Sequence, residues 1–428
     1  MRRRHVLGCC AGLAAGLFTS LPARAQGYAF GEGFANPCRG ALPADLAAHE
    51  LVQRAFEGPA PAALWDTHAH LLGTGDSGSG CTVHPSLDQW WRPVEYVRKR
   101  AILNAACVPG DAPSIDRAYV QRLLDMAADF PAGAAWMLFA FDRAHDDDGR
   151  PREDWTTFHV PDAYAAAVAR THAQRFRWVA SVHPYRDDAL AALDAALAAG
   201  ALAVKWLPSA MNIDPRDPRC VPFYERLRAR GVPLVVHFGE EKAVPGAHRE
   251  AFGNPLLARV PLSHGVRVIA AHAGSLGFAL DTDRPSAPRV PSFELFARVM
   301  DEPAWRGLLL ADISALFQAN RTADVWRTVL RRADWHERLM HGSDHPLPGV
   351  MPLYAPARLA AEGLLDARAV APLRRLREHN ALLFDFVLKR HLRDGSARLA
   401  DAVFDTRRHF ARGTATVAAG SREGENRT

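Results

Sequence analysis

The stretch Leu64-Trp65-Asp66-Thr67-His68-Ala69-His70 decides how this chain is read. It is an apolar run that ends in two histidines one residue apart. In a strand, side chains i and i+2 share a face, so both imidazoles converge on one point. A metal ion needs that of two ligands. Three further short runs end the same way: Pro233-Leu234-Val235-Val236-His237, Val268-Ile269-Ala270-Ala271-His272, and Leu339-Met340-His341-Gly342-Ser343-Asp344. Repeated strands that each end in a metal-type ligand match a parallel barrel, in which catalytic residues come from the C-terminal ends of several strands.

Working outward, the pattern predicts strands over 64–68, 136–141, 178–182, 201–206 and 308–313. Two more end at His237 and His272, and the last leads from 339–340 into Asp344. Helices are expected over 93–130, broken at Val108-Pro109-Gly110-Asp111, and over 187–199, stopped by Gly200. Eightfold strand–helix alternation predicts an α/β protein of (β/α)8 barrel type. The barrel is expected over 64–390, after a lead-in over 26–63. A polar, basic extension over 391–428 follows, its end reading as disordered.

The 428 residues are 48% hydrophobic, enough for one large barrel domain, and carry a net charge of +5. The charge is spread out, which argues against a nucleic-acid partner. No run is long and apolar enough for a membrane span. Met1-Arg2-Arg3-Arg4-His5, the apolar stretch over 6–21 and Ala23-Arg24-Ala25 before Gln26 predict a signal peptide over 1–25. Arg3-Arg4-His5-Val6-Leu7 resembles a twin-arginine signal, with general (Sec) secretion the alternative. Both predict a bacterial periplasmic or secreted protein that meets the export machinery transiently. Cys38, Cys81, Cys107 and Cys220 remain after cleavage, to form one or two disulfides or to stay as buried thiols. Nothing in the sequence speaks to oligomeric state.

His68, His70, His237 and Asp344 are the candidate metal ligands. Zinc suits this donor set, and manganese or iron also fit. Lys205 ends the fourth strand, where it would pair with Asp344 or with a substrate carboxylate. His183 ends the third strand and faces the same mouth. Trp90, Trp91 and Trp206 are candidates to line an apolar pocket, and the loops over 71–92 and 142–160 are expected to set specificity.

The same motifs resemble the amidohydrolase superfamily, and most closely its amidohydrolase-2 branch. The resemblance rests on His68-Ala69-His70, Lys205-Trp206-Leu207-Pro208, His237-Phe238-Gly239-Glu240, His272-Ala273-Gly274, Gly342-Ser343-Asp344-His345-Pro346 and Asn380-Ala381-Leu382-Leu383-Phe384. It runs from about Leu64 to Phe384. It implies a catalytic divalent metal, His272 as the base for water, and Asp344 as both ligand and partner in that step. It also implies a substrate or supporting contact for Glu240. One ion is expected, or two if Lys205 is carbamylated, as in binuclear relatives. The activity so implied is hydrolysis of an amide, ester or lactone carbonyl in a small molecule. Non-oxidative decarboxylation on the same site is the alternative, and a non-catalytic periplasmic metal-binding protein is a further one.

Overall fold

The computed structural model describes residues 23–410 apart from residue 245, with side chains from residue 27 onward. Nearly all of the segment expected to be a signal peptide and the end of the expected C-terminal extension lie outside the described residues. The barrel strands are β1 Trp65–His70, β2 Ala135–Phe139, β3 Phe176–Val179, β4 Val204–Trp206, β5 Leu234–His237, β6 Val268–Ala271, β7 Leu309–Asp312 and β8 Leu339–Met340. The main helices between and after them are α1 Pro93–Ala105, α2 Ile115–Ala128, α3 Asp162–Thr171, α4 Ala189–Ala198, α5 Cys220–Arg230, α6 Arg259–Ser263, α7 Ser292–Asp301, α8 Ala323–Arg331, α9 Val370–His379 and α10 Ala381–His391. Among the described residues no helix is long and apolar enough to cross a membrane.

The strands pair in parallel as β1-β2-β3 and as β4-β5-β6-β7-β8. Single bridges join the two runs, Ala180 beside Val204 and Ala69 beside His345. There the Lys205 N–H donates to the Ala180 carbonyl at 2.7 Å, and the His70 N–H donates to the His345 carbonyl at 2.9 Å. The ring therefore runs through all eight strands, as expected of a (β/α)8 barrel. Trp65, Met137, Phe139, Val179, Val235, Ile269, Leu310 and Met340 fill its interior, the layered packing of such barrels. Phe410 stacks on Trp65 at 6.4 Å, and the Thr406 hydroxyl accepts the Trp65 N–H at 2.8 Å. The segment up to residue 410 thus closes the lower end.

Strand limits differ from the sequence reading where the chain turns. β4 starts at Val204, not at 201, because the Ala201 N–H bonds back to Ala196 and finishes the preceding helix end. β1 extends to His70 and slips register between Asp66 and Ala69. Such a bulge re-aims side chains, and here it lies beside both histidines.

A strap precedes the barrel. The Asn36 N–H donates to Asn104 Oδ1 at 2.8 Å, and Asn104 Nδ2 donates back to the Asn36 carbonyl at 2.9 Å. Cys38 and Cys107 form a disulfide with Cα atoms 5.4 Å apart, while Cys81 and Cys220 are free and buried. Glu32 is buried against Arg374 and Arg377 of α9, each at 2.7 Å. The strap therefore ties the end of α1 to α9. Close by, one carboxylate organises the Gly/Ser-rich loop over 72–80. Asp116 accepts the N–H groups of Thr74, Gly75 and Ser77 at 2.6, 3.2 and 3.3 Å, and the hydroxyls of Ser77 and Ser79 at 2.8 and 2.6 Å.

Two residues expected at the mouth belong to the core. His183 Nε2 donates to the Met211 carbonyl at 2.8 Å, and its Nδ1 accepts the Tyr185 N–H at 3.1 Å. Both ring nitrogens are used, so His183 is structural. Trp206 is buried, donates to the Val182 carbonyl at 2.9 Å and packs on Phe223. Trp90 and Trp91 are instead exposed, at 73% and 62%.

The disulfide closes a span of 69 residues, so reduction should cost up to about 4 kcal/mol. Reductant, or Cys38→Ser, should lower the urea midpoint clearly; an unchanged midpoint would show that the bond does not form. Burial first, and His145 next, push the His183 pKa from 6.5 down to about 3. The unfolded chain then binds a proton that the folded chain refuses between those values. Stability is intact above pH 6.5 and falls as pH drops through it, by about 1.4 kcal/mol per pH unit from this one group. His183→Gln should show a shallower dependence of unfolding free energy between pH 6.5 and 4.5; equal slopes would refute the assignment.

Candidate functional site

Each strand end supplies one part of the mouth. β1 carries His68 and His70, β4 carries Lys205, β5 ends at His237, and His272 directly follows β6. β7 ends at Asp312, and Asp344 lies just beyond β8. His272 and Asp344 adopt the left-handed region, with φ of 55° and 61°. A non-glycine residue there costs roughly 1–2 kcal/mol, and such strain gathers at functional sites.

The structure brings most of the expected residues together. His70 Nε2 and His68 Nε2 lie 3.1 and 3.4 Å from Asp344 Oδ1, and His272 Nε2 lies 3.9 Å from Asp344 Oδ2. The ligand atoms of His68, His70 and Asp344 fall within 4.8 Å of one another, as do those of His68, His272 and Asp312. His237 is in neither group, and its ring lies 5.1 Å from that of His272. Three buried nitrogens here have no hydrogen-bond partner: His68 Nε2, His237 Nε2 and Lys205 Nζ. An unsatisfied buried polar group costs roughly 1–3 kcal/mol. Two imidazole lone pairs left unbonded beside a carboxylate fit a divalent cation.

Burial favours the neutral form of three of the imidazoles. It lowers the pKa of His68, His237 and His272, the last well below its usual range. Burial also pushes Lys205 down to about 8, against the pull of Asp312, Asp344 and Glu241. Asp344 is equally buried, yet His272, His68 and His70 around it hold its carboxyl well below the usual carboxylate range. Lys205 does not pair with Asp344; its Nζ stands 5.3 Å from the centre of the Phe139 ring.

Two carboxylates, Glu241 in the cavity lining and Asp312 behind it, differ from expectation. Glu241, rather than Glu240, approaches His237, with Oε2 3.3 Å from Nδ1. Its Oε1 accepts the N–H groups of Ala243 and Val244 at 2.6 and 2.9 Å. Glu240 lines the cavity and faces Lys242 at 3.5 Å. Asp312 is absent from the sequence reading, although Leu309-Leu310-Ala311-Asp312 is again an apolar strand ending in an acid. The expected strand runs to residue 313, one residue past the Asp312 that ends the observed one. Asp312 Oδ2 lies 2.9 Å from His68 Nδ1, and its Oδ1 accepts the N–H groups of His272 and Ser314 at 3.0 and 3.1 Å.

Above this cluster opens a cavity of about 210 Å³. Leu72, Thr74, Val83 and Leu87 from the first expected loop line it, as do Thr157 and Phe158 from the second. α1 adds Arg98, Lys99, Ile102 and Leu103, a wall the sequence reading did not anticipate. Arg98 Nε and Nη1 are buried without a partner. Arg321 is 5% exposed and donates only to the neutral Ser275, Gln318 and Asn320 side chains.

No curated protein matches the sequence. Several solved structures resemble the chain. An uncharacterized TIM-barrel protein from Bordetella bronchiseptica is 18% identical, covering 69% of this chain and 91% of that one, with a TM-score of 0.43. A 5-carboxyvanillate decarboxylase from Sphingomonas paucimobilis is 13% identical over 81% and 98%, with a TM-score of 0.42. A 4-oxalomesaconate hydratase from Rhodopseudomonas palustris is 14% identical over 74% and 96%, with a TM-score of 0.38. Such distant likenesses say nothing of the reaction. The model of the Amidohydrolase family matches residues 65–382, most of the barrel and all of the clustered side chains, and the chain therefore belongs to the amidohydrolase family, in its amidohydrolase-2 branch.

Proposed function

We propose that the protein is a metal-dependent hydrolase that uses water to open an amide, ester or lactone bond in a small organic molecule. The observation that carries this reading is the buried, unbonded His68 Nε2 3.4 Å from Asp344 Oδ1, the oxygen that His70 Nε2 approaches at 3.1 Å, in a mouth where His272 Nε2 faces the other oxygen. His68, His70, His237 and Asp344 would hold one divalent ion, zinc by donor type, with manganese or iron as alternatives. A second ion would require a carbamylated Lys205. When bound, such an ion lowers the pKa of water toward ~7 and polarises a carbonyl.

The chain's own groups do the rest. Neutral His272 takes the proton of the attacking water at Nε2 and returns it to the leaving group. Asp344 orients that exchange from 3.9 Å. Lys205, unpaired and buried, is free to donate to a substrate oxygen. The apolar lining of the cavity excludes bulk water and accepts a compact hydrocarbon or aromatic frame. Export to an oxidising compartment is part of this reading, supported by the basic leader and the Cys38–Cys107 disulfide.

A second reading, decarboxylation of a carboxylic acid, is favoured by Arg98 and Arg321. Arg321 is buried and Arg98 half-buried in the cavity wall, and neither has a carboxylate hydrogen-bonded to it. The two readings separate on product: release of carbon dioxide assigns the second, and uptake of water with a new acid assigns the first.

His68→Ala and Asp344→Ala should each lose bound metal and turnover; full metal occupancy in both would sink the ligand assignment. His272→Asn should keep its metal and lose ~10²–10⁴-fold in rate, as removal of a general base does. Loss of metal in that variant would make His272 a ligand. Arg98→Met should raise KM for carboxylated substrates by roughly 10–100-fold, the worth of a charged hydrogen bond, and should leave uncharged esters alone. An equal effect on both would remove Arg98 from recognition.

A further inference from the structure

Two histidines with different tasks meet one carboxylate. His68 Nδ1 stands 2.9 Å from Asp312 Oδ2. On the other oxygen, the Ser314 hydroxyl donates to Asp312 Oδ1. That same hydroxyl oxygen lies 2.8 Å from His272 Nδ1, and the Ser314 carbonyl lies 3.1 Å from it; the hydroxyl also stands 3.2 Å from His68 Nδ1, a longer contact than the one that ring makes to Asp312 Oδ2. A carbonyl only accepts, so His272 Nδ1 carries the proton. A carboxylate with three donors on Oδ1, the Ser314 hydroxyl and the N–H groups of His272 and Ser314, is an acceptor, so His68 Nδ1 carries its proton as well. Both rings are thereby left with a lone pair on Nε2, the His68 atom that has no partner and the His272 atom that faces Asp344.

Asp312 is 1% exposed and, unlike His68, His70, His237, His272 and Asp344, does not line the cavity. Its four donors are the His68 ring, the Ser314 hydroxyl and the main-chain N–H groups of His272 and Ser314. None of these leaves it turned toward substrate. Asp312 could be read as a direct ligand, because its atoms fall within one metal-sized group with His68 and His272. That reading would give up the hydrogen bond between the His68 ring and Asp312 Oδ2.

We propose that Asp312 is a shared positioning residue: one oxygen fixes the tautomer of the ligand His68, the other fixes that of the base His272 through Ser314. The proposal rests on the metal reading above, and it adds that ion retention and proton transfer depend on one buried carboxylate. Supporting carboxylates behind metal-bound histidines typically contribute 10–100-fold in affinity or activity.

The test begins with the metal-free full-length protein, labelled with 15N-histidine. Long-range 15N–1H correlation should show both His68 and His272 protonated at Nδ1, and Ser314→Ala and Asp312→Asn assign the peaks. An Nε2–H tautomer for either ring overturns the proposal, whatever the protein catalyses. Zinc affinity by chelator competition then divides the two arms. Asp312→Asn should weaken zinc by roughly 10–100-fold and lower kcat. Ser314→Ala should hold zinc within about 3-fold of wild type, lower kcat at least 10-fold and leave KM nearly unchanged. Zinc loss in Ser314→Ala equal to that in Asp312→Asn, or unchanged zinc affinity in Asp312→Asn, would overturn it. Should Asp312→Asn fail to fold, the wild-type tautomers and the Ser314→Ala split still decide. A wild-type protein that binds no zinc would refute the proposed function, while the tautomers report separately.

Discussion

Four imidazoles and one ammonium are gathered in an apolar barrel mouth, and the carboxylates of Asp312 and Asp344 compensate them. The histidines beside them hold both acids below the usual carboxylate range, and burial lowers the pKa of His68, His237 and His272. Neutral imidazole is the form that ligates a metal or takes a proton. Desolvation and the two carboxylates therefore set the state of every reactive group. Moving either acid by one residue would leave several buried nitrogens without a reason to be where they are.

The backbone meets that constraint at some cost. The ring of strands is held by regular ladders that reach His70, Lys205, His237 and Asp312, and by single bridges at Ala69–His345 and Ala180–Val204. The β1 bulge and the left-handed φ of His272 and Asp344 are confined to the mouth. Regular pairing and the inner layer from Trp65 to Met340 supply the stability that makes those departures affordable.

The barrel and most of the mouth were legible because a strand that ends in His or Asp combines two signals, an apolar run and a polar terminus. Asp312 carries the same pair of signals and was missed only through a one-residue error in where β7 stops. His183 shows the converse. It ends an apolar run, yet the two groups that use its nitrogens, Met211 and Tyr185, come from chain turns that no periodicity reveals. Lys205 was expected to pair, and the structure leaves its Nζ buried without a hydrogen-bond partner, 5.3 Å from the centre of the Phe139 ring. The α1 wall of the cavity was hidden for another reason. Its place depends on the strap, on Asn36–Asn104 and on a disulfide whose partner the sequence did not choose.

The loop over 72–80 is written in the residues of a flexible linker, but Asp116 gathers it through five donors. Its conformational entropy is thus surrendered when the chain folds, not when a guest arrives. A molecule entering the cavity meets a rim already in its final shape along Leu72 and Thr74. Affinity is spared the ordering penalty that a mobile loop would charge. The corresponding loss is tolerance: a rim fixed in advance discriminates by outline, and it has little freedom to remould itself around a bulkier guest.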